Sequence, residues 1–125
     1  MADSKTIVLV GQNLYFLGLV ESLAQPHGYE TLRATTEKAF WNHFNNRIPA
    51  LVLVDLEGDH DTWSQVLEGI HSQNNGIPVI AFGPHEDTGA LEQARRLGSG
   101  LALSKGEFNR DLPRIIEDLA SGLQS

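Results

Sequence analysis

The sequence predicts an α/β domain in which helices cover both faces of a parallel five-stranded sheet. Two observations carry this reading. Apolar runs of strand length alternate strictly with stretches of helical period, and the connections between them are short. Such alternation produces a parallel sheet, because each crossover helix returns the chain to start the next strand on the same side. Right-handed crossovers then leave few topologies.

Each element has its own signal. The first strand runs from about Lys5 to Val10. The first helix runs from near Asn13 to Gln25, with Leu14, Leu17, Val20 and Leu23 expected on its inner face, and Pro26 and Gly28 end it. The stretch Tyr29 to Ala34 is less apolar and reads as an edge strand. Thr35 or Thr36 can cap a second helix whose Ala39, Phe40 and Phe44 share a face. Pro49 precedes strand three, Ala50 to Val54. Helix three spans about Asp61 to Ser72, capped by Asp61 or Thr62, with Trp63, Val66, Leu67 and Ile70 inward. Asn74-Asn75-Gly76 is a turn, and Pro78 opens strand four, Val79 to Phe82. Helix four covers about Asp87 to Leu97 and stops at Gly98. Strand five is Leu101 to Ser104, and helix five runs from about Asn109 to Leu123. The loose segments are Met1 to Ser4 and Ser121 to Ser125.

The chain has 125 residues, the size of one ordinary domain (1-125, core about 5-122). At this length folding buries roughly two-thirds of the surface exposed by the unfolded chain, enough for a true core. Nine basic against 16 acidic residues give a formal net charge of −7. That overall field argues against a direct nucleic-acid partner, and Arg95-Arg96 is the sole adjacent basic pair. There is no cysteine, which excludes thiol chemistry and suits a reducing compartment. The start, Met1-Ala2-Asp3-Ser4-Lys5, lacks the basic and long apolar parts of a signal peptide. No apolar run approaches the ~20 residues of a membrane span. The expected setting is cytoplasmic, with no membrane partner.

Strand three ends in a carboxylate, Asp55, and the apolar run of strand five leads into Lys105. Strand one ends in Gly11-Gln12. In a parallel α/β sheet the carboxyl ends of the strands share one crevice, where ligands bind. An Asp and a Lys in such a crevice point to phosphate chemistry. With this set of residues, the chain resembles the receiver domain of two-component response regulators over nearly its whole length. The intervals from Gly11 through Asp55 and Gly83 to Lys105 fit that family's functional positions with little or no gapping. The resemblance implies a flavodoxin-like (receiver-like) doubly wound sheet of order 2-1-3-4-5 with five helices.

The resemblance also implies roles, and several are unfilled. In receivers two acids after strand one bind magnesium; here Gly11 and Gln12 stand there. Asp55 matches the phosphoacceptor and Lys105 the lysine that ends strand five. The hydroxyl residue ending strand four is replaced by Gly83 and the aromatic switch of strand five by Ala102. The proline after the lysine is Gly106, and the proline and glycine of the loop after the acceptor are replaced by Asp59 and Trp63. This pattern is similar to a degenerate receiver, or pseudo-receiver.

Phosphoryl transfer to a carboxylate needs the oxygen charge neutralised, chiefly by magnesium in octahedral oxygen coordination. Asp55 with one amide oxygen of Gln12 is a poor site, so no cofactor is expected; acids restored together at 11 and 12 should recover some affinity. Asp55 and Lys105 then become a structural pair, and Glu57 a solvated loop acid. The leading expectation is a phosphorylation-independent signalling module acting by protein–protein interaction. One alternative is an atypical receiver phosphorylated on Asp55 with magnesium; another is a domain binding a small anion or nucleotide. Catalysis is not expected, since no nucleophile–base pair is visible. The histidines at 27, 43, 60, 71 and 85 lack metal spacing, and His85 is expected near the crevice mouth. Trp41 lies off its helix's apolar stripe and reads as exposed, while Trp63 reads as either a lid or ordinary packing. The resemblance places an interaction or homodimer surface on helix four, strand five and helix five. Leu91, Glu92, Arg95, Arg96, Arg110 and Arg114 lie there, with Glu117 and Asp118.

Overall fold

A computed structural model describes residues 5–73 and 76–122. The elements follow the alternation: β1 (Thr6–Val10), α1 (Leu14–Ala24) running into a 3-10 turn (Gln25–His27), β2 (Glu30–Ala34), α2 (Glu37–Asn46), β3 (Leu51–Asp55), α3 (His60–Gln73), β4 (Val79–Gly83), α4 (Thr88–Arg96), β5 (Leu101–Ser104) and α5 (Lys105–Ser121). All strand pairs are parallel and the order is β2-β1-β3-β4-β5, the flavodoxin-like arrangement. The register sets Val10 beside Val54, Asp55 beside Phe82 and Gly83 beside Ser104. The carboxyl ends of β1, β3, β4 and β5 therefore stand together at one edge.

The period-two alternation of the strands divides the interior into two cores. Val8, Val10, Val52, Val54 and Ala81 face α2, α3 and α4, where Phe40, Phe44, Trp63, Val66 and Leu67 meet them. Ile7, Leu9, Leu51, Leu53, Ile80 and Phe82 face α1 and α5, meeting Phe16, Val20, Phe108, Leu112 and Ile116. The central strands β1, β3 and β4 are buried along their whole length, whereas β2 is exposed at Glu30 and Arg33. That confirms β2 as an edge strand.

Several local expectations need correction. On α1 Val20 is buried as expected and Leu17 and Leu23 are partly buried against the core, but the fully buried line also runs through Phe16 and Ala24, and Leu14 is 66% exposed. The aromatic decides the rotation: Phe16 packs edge-on against Phe82 and Phe108, at 5.0 and 5.3 Å between ring centres. Helix α5 begins at Lys105, not near Asn109. Ser104 accepts the Glu107 N–H and Glu107 reaches back to the Ser104 N–H, a reciprocal capping box. Asp59, rather than Asp61 or Thr62, caps α3 by accepting the backbone N–H and the hydroxyl of Thr62, both at 2.9 Å. Thr36 caps α2. Trp41 is half-buried rather than exposed: its ring lies against Phe40 and Phe44, and its indole N–H donates to Glu37. Opposite it is Gly69 of α3, where an added Cβ would come within 2.4 Å of the indole. The turn expected at Asn74-Asn75 lies outside the described residues, as do residues 1–4 and 123–125; α5 closes on Gly122 in the left-handed conformation. No helix among the described residues is long and apolar enough to cross a membrane.

Two stability changes follow. Ser104→Ala opens the capping box and should cost about 0.5–2 kcal/mol in urea unfolding. Gly69→Ala drives a methyl into Trp41 and should cost about 1–3 kcal/mol, with a shift in tryptophan emission that Ser104→Ala does not produce.

Candidate functional site

Gly11 follows β1 directly and is buried, its N–H donating to the Ala34 carbonyl at 2.9 Å. Its φ of 149° belongs to a region that L side chains rarely enter. A Cβ built there would lie 2.7 Å from the Cβ of Asp55. Gly11 thus lets the ends of β1 and β3 approach more closely than any other residue would allow.

Asp55 ends β3 and is only 4% exposed. Its Oδ1 accepts the Glu57 N–H at 2.9 Å, and its carbonyl accepts the Gly58 N–H at 3.2 Å, so the chain turns sharply after the strand. Leu56, also buried, donates its N–H to Phe82 and covers the end of β4, where a Cβ on Gly83 would meet its side chain at 3.1 Å. Burial pushes the Asp55 carboxyl above the ordinary aspartate range. The Glu57 N–H and the positive charge of Lys105 oppose this without cancelling it, and the Glu57 carboxylate adds to it.

Lys105 is the first residue of α5, just beyond β5. Its ammonium pairs with the Glu57 carboxylate, not with Asp55 as expected from the sequence. Glu57 is correspondingly not a merely solvated loop acid: it ties the loop after β3 to the start of α5. Both partners keep contact with water, with side-chain exposures of 49% and 30% for Glu57 and Lys105.

The crevice between β1 and β3 is lined by Val10, Gly11, Gln12, Thr35, Asp55, Gly58, Asp59, Thr62 and Trp63. It encloses about 10 Å³, room for about one water molecule. Asp55, Gly11 and Gln12 converge there as expected. Asp59 and Thr62, read from the sequence only as a loop residue and a cap candidate, also line the crevice, and Asp-x-x-Thr ahead of an apolar helix is a readable cap. Trp63 is both core and wall: it is 2% exposed and lines the crevice from α3. His85 does not line it; its side chain is 85% exposed beside Glu86. His60 lies closer, with its ring 4.8 Å from Trp63 and its Nε2 2.9 Å from the Gln93 amide oxygen, linking α3 to α4. Ala102 is buried in β5, and its carbonyl accepts from Arg95 at 3.2 Å.

The residues do not fit a magnesium ion. Gln12 offers one neutral oxygen on an exposed side chain, Glu57 is engaged with Lys105, and one oxygen of Asp59 takes both Thr62 bonds at the cap of α3. Among the described residues no group of three or more His, Cys, Asp or Glu side chains is placed to hold a metal. Acids restored at 11 and 12 would not rebuild such a site, since an aspartate at 11 would collide with Asp55.

The surface expected on α4 and α5 is also altered. Leu91 is a core residue, 8% exposed. Arg95 pairs with Glu92 at 3.5 Å, and Arg110 makes two bonds to Asp111, which also lies 3.7 Å from Arg114. Part of the charge expected to meet a second copy is therefore already matched within the chain.

No protein-family model and no curated protein matches the sequence. Solved structures do. The receiver domain of NtrX from Brucella abortus is 23% identical, with a TM-score of 0.74 over 94% of this chain and 99% of that one. The chain has the receiver fold. A CheY-like response regulator receiver domain protein from Methanospirillum hungatei JF-1 is 20% identical, with a TM-score of 0.77 over 97% of each chain. A longer NtrX chain from Brucella abortus matches at 22% identity and a TM-score of 0.76 over 97% of this chain but only 28% of its own length. The crevice at Asp55 lies at the carboxyl edge of the sheet, as the general rule for parallel α/β sheets leads one to expect.

The raised Asp55 carboxyl fixes the sign of a pH effect. A carboxyl raised by folding favours the folded state in its protonated form. That contribution is complete below the ordinary aspartate range and is lost as pH rises through the raised value. Asp55→Asn keeps an acceptor for the Glu57 N–H and does not titrate. Thermal unfolding across the acid range should therefore show a higher midpoint for Asp55→Asn at neutral pH, by a few degrees, and convergence with the parent at low pH. Gly11→Ala should destabilise by about 1–3 kcal/mol through backbone strain and the contact with Asp55.

Proposed function

We propose that this chain is a receiver-fold signalling domain that works through protein–protein contact and is not switched by phosphate. The observation that carries this is the closure of Gly11 onto Asp55. It leaves space for about one water beside the carboxylate, and the one other acid lining the crevice, Asp59, is bonded to Thr62 at the cap of α3. A phosphoryl group arriving at Asp55 would find its charge unscreened on that side. On the other side Lys105 is occupied by Glu57. Gly83 has no hydroxyl to follow the phosphoryl group, and its end of β4 lies under Leu56. Ala102 has no ring to move. The site belongs to the degenerate kind of receiver, takes no cofactor, and carries no catalytic residue.

A domain without a moving switch presents a constant surface. The face of α4, β5 and α5 is the one proposed for a signalling partner or a second copy, with Arg96, Arg110 and Arg114 outward and Leu101 half exposed between the helices. An acidic overall charge keeps nucleic acid out of this role.

Incubation with magnesium and a small phosphodonor, followed by intact mass measurement, should give no phosphoryl adduct. An adduct that disappears in Asp55→Asn would replace this reading with that of an atypical phosphorylated receiver. For the surface, sedimentation of Arg96→Glu with Arg114→Glu should show self-association weakened about tenfold, with Asp55→Asn unchanged. A parent that is monomeric at all concentrations would exclude the homodimer and leave a heterologous partner.

A further inference from the structure

Lys105 has two carboxylates within electrostatic reach and is bonded to one of them. Its ammonium pairs with Glu57, 48 residues away in sequence, while Asp55 takes the Glu57 backbone N–H. We propose that Glu57 is a built-in competitor for Lys105, holding the lysine over the loop after β3 and away from Asp55, so that loss of the Glu57 charge hands the lysine to Asp55. This rests on the reading that the crevice works without phosphate, and it names what keeps Lys105 occupied in that state.

Three features support the competition. Glu57 engages both groups separately, Asp55 through its backbone and Lys105 through its side chain, so it keeps them apart while satisfying each. The Glu57–Lys105 pair is partly in water, where an ion pair contributes little and the long lysine stem can swing. Asp55 is the more deeply buried carboxylate, and a charge there gains more from a partner than one in solvent does. Asp59, the other acid lining the crevice, is held by Thr62 at the cap of α3 and does not compete.

The experiment is a pair of double-mutant cycles. Coupling between Asp55 and Lys105 is measured with Asp55→Asn and Lys105→Met, singly and together, by urea unfolding at neutral pH. One cycle is run in the parent and one in Glu57→Gln. Coupling within about twofold in the unfolding constant is expected in the parent, rising to about fivefold or more, and attractive, in Glu57→Gln. Equal coupling in both backgrounds overturns the proposal. A crystal structure of Glu57→Gln gives a readout that does not depend on the folding of the lysine variants. There Lys105 Nζ should lie within hydrogen-bond distance of Asp55, and a lysine still beside residue 57 overturns the proposal. The phosphodonor result stands apart: an adduct on the parent would remove the phosphate-free reading, whereas equal couplings would remove only the competition.

Discussion

The close approach of two strand ends governs the rest of this site. Parallel β1 and β3 bring Val10 and Val54 into register, and the chain must then leave the sheet at Gly11 and at Asp55 without collision. Glycine at 11 permits a backbone that brings it against the Asp55 side chain. Burial of Asp55, the small crevice and the tight turn through Glu57 and Gly58 all follow from that contact. So does the raised Asp55 carboxyl, since the backbone at Gly11 buries it and leaves room for only about one water beside it.

The charges near the site arrange themselves around this constraint. A buried acid needs donors, and the nearest is the amide two residues on, in the same turn that Asp55 initiates. With Asp55 served by backbone, the lysine at the head of α5 meets the solvent-side acid first. The Ser104–Glu107 box starts α5 at Lys105 and so sets the lysine at the carboxyl edge of the sheet. A capping motif thus positions a charged residue of the site, joining helix initiation to electrostatics.

Much of the fold was legible in the sequence because burial patterns are local and redundant. Each central strand is a continuous apolar run, and α3 announces its inner face through Trp63, Val66, Leu67 and Ile70, all of which are buried. In α1 the expected face is right at Val20, buried, and at Leu17 and Leu23, which pack against the core, but Leu14 is exposed because the buried line runs through Phe16, Val20 and Ala24. The aromatic contact of Phe16 with β4 and α5 sets that line. At the site, the convergence of Gly11, Gln12 and Asp55 followed from topology alone. The partner of Lys105 did not, because choosing between acids two residues apart depends on which way the turn aims each side chain.

The two tryptophans, Trp41 and Trp63, both sit in the layer formed by α2 and α3. The layer of α1 and α5 has none; near it are the tyrosines Tyr15 and Tyr29, which bond to Asn109 and to the Leu119 carbonyl of α5. The two sides of the sheet therefore carry different chromophores. Indole emission senses one side, and phenol absorbance the other, so optical melting can resolve whether the layers separate from the sheet together or one at a time.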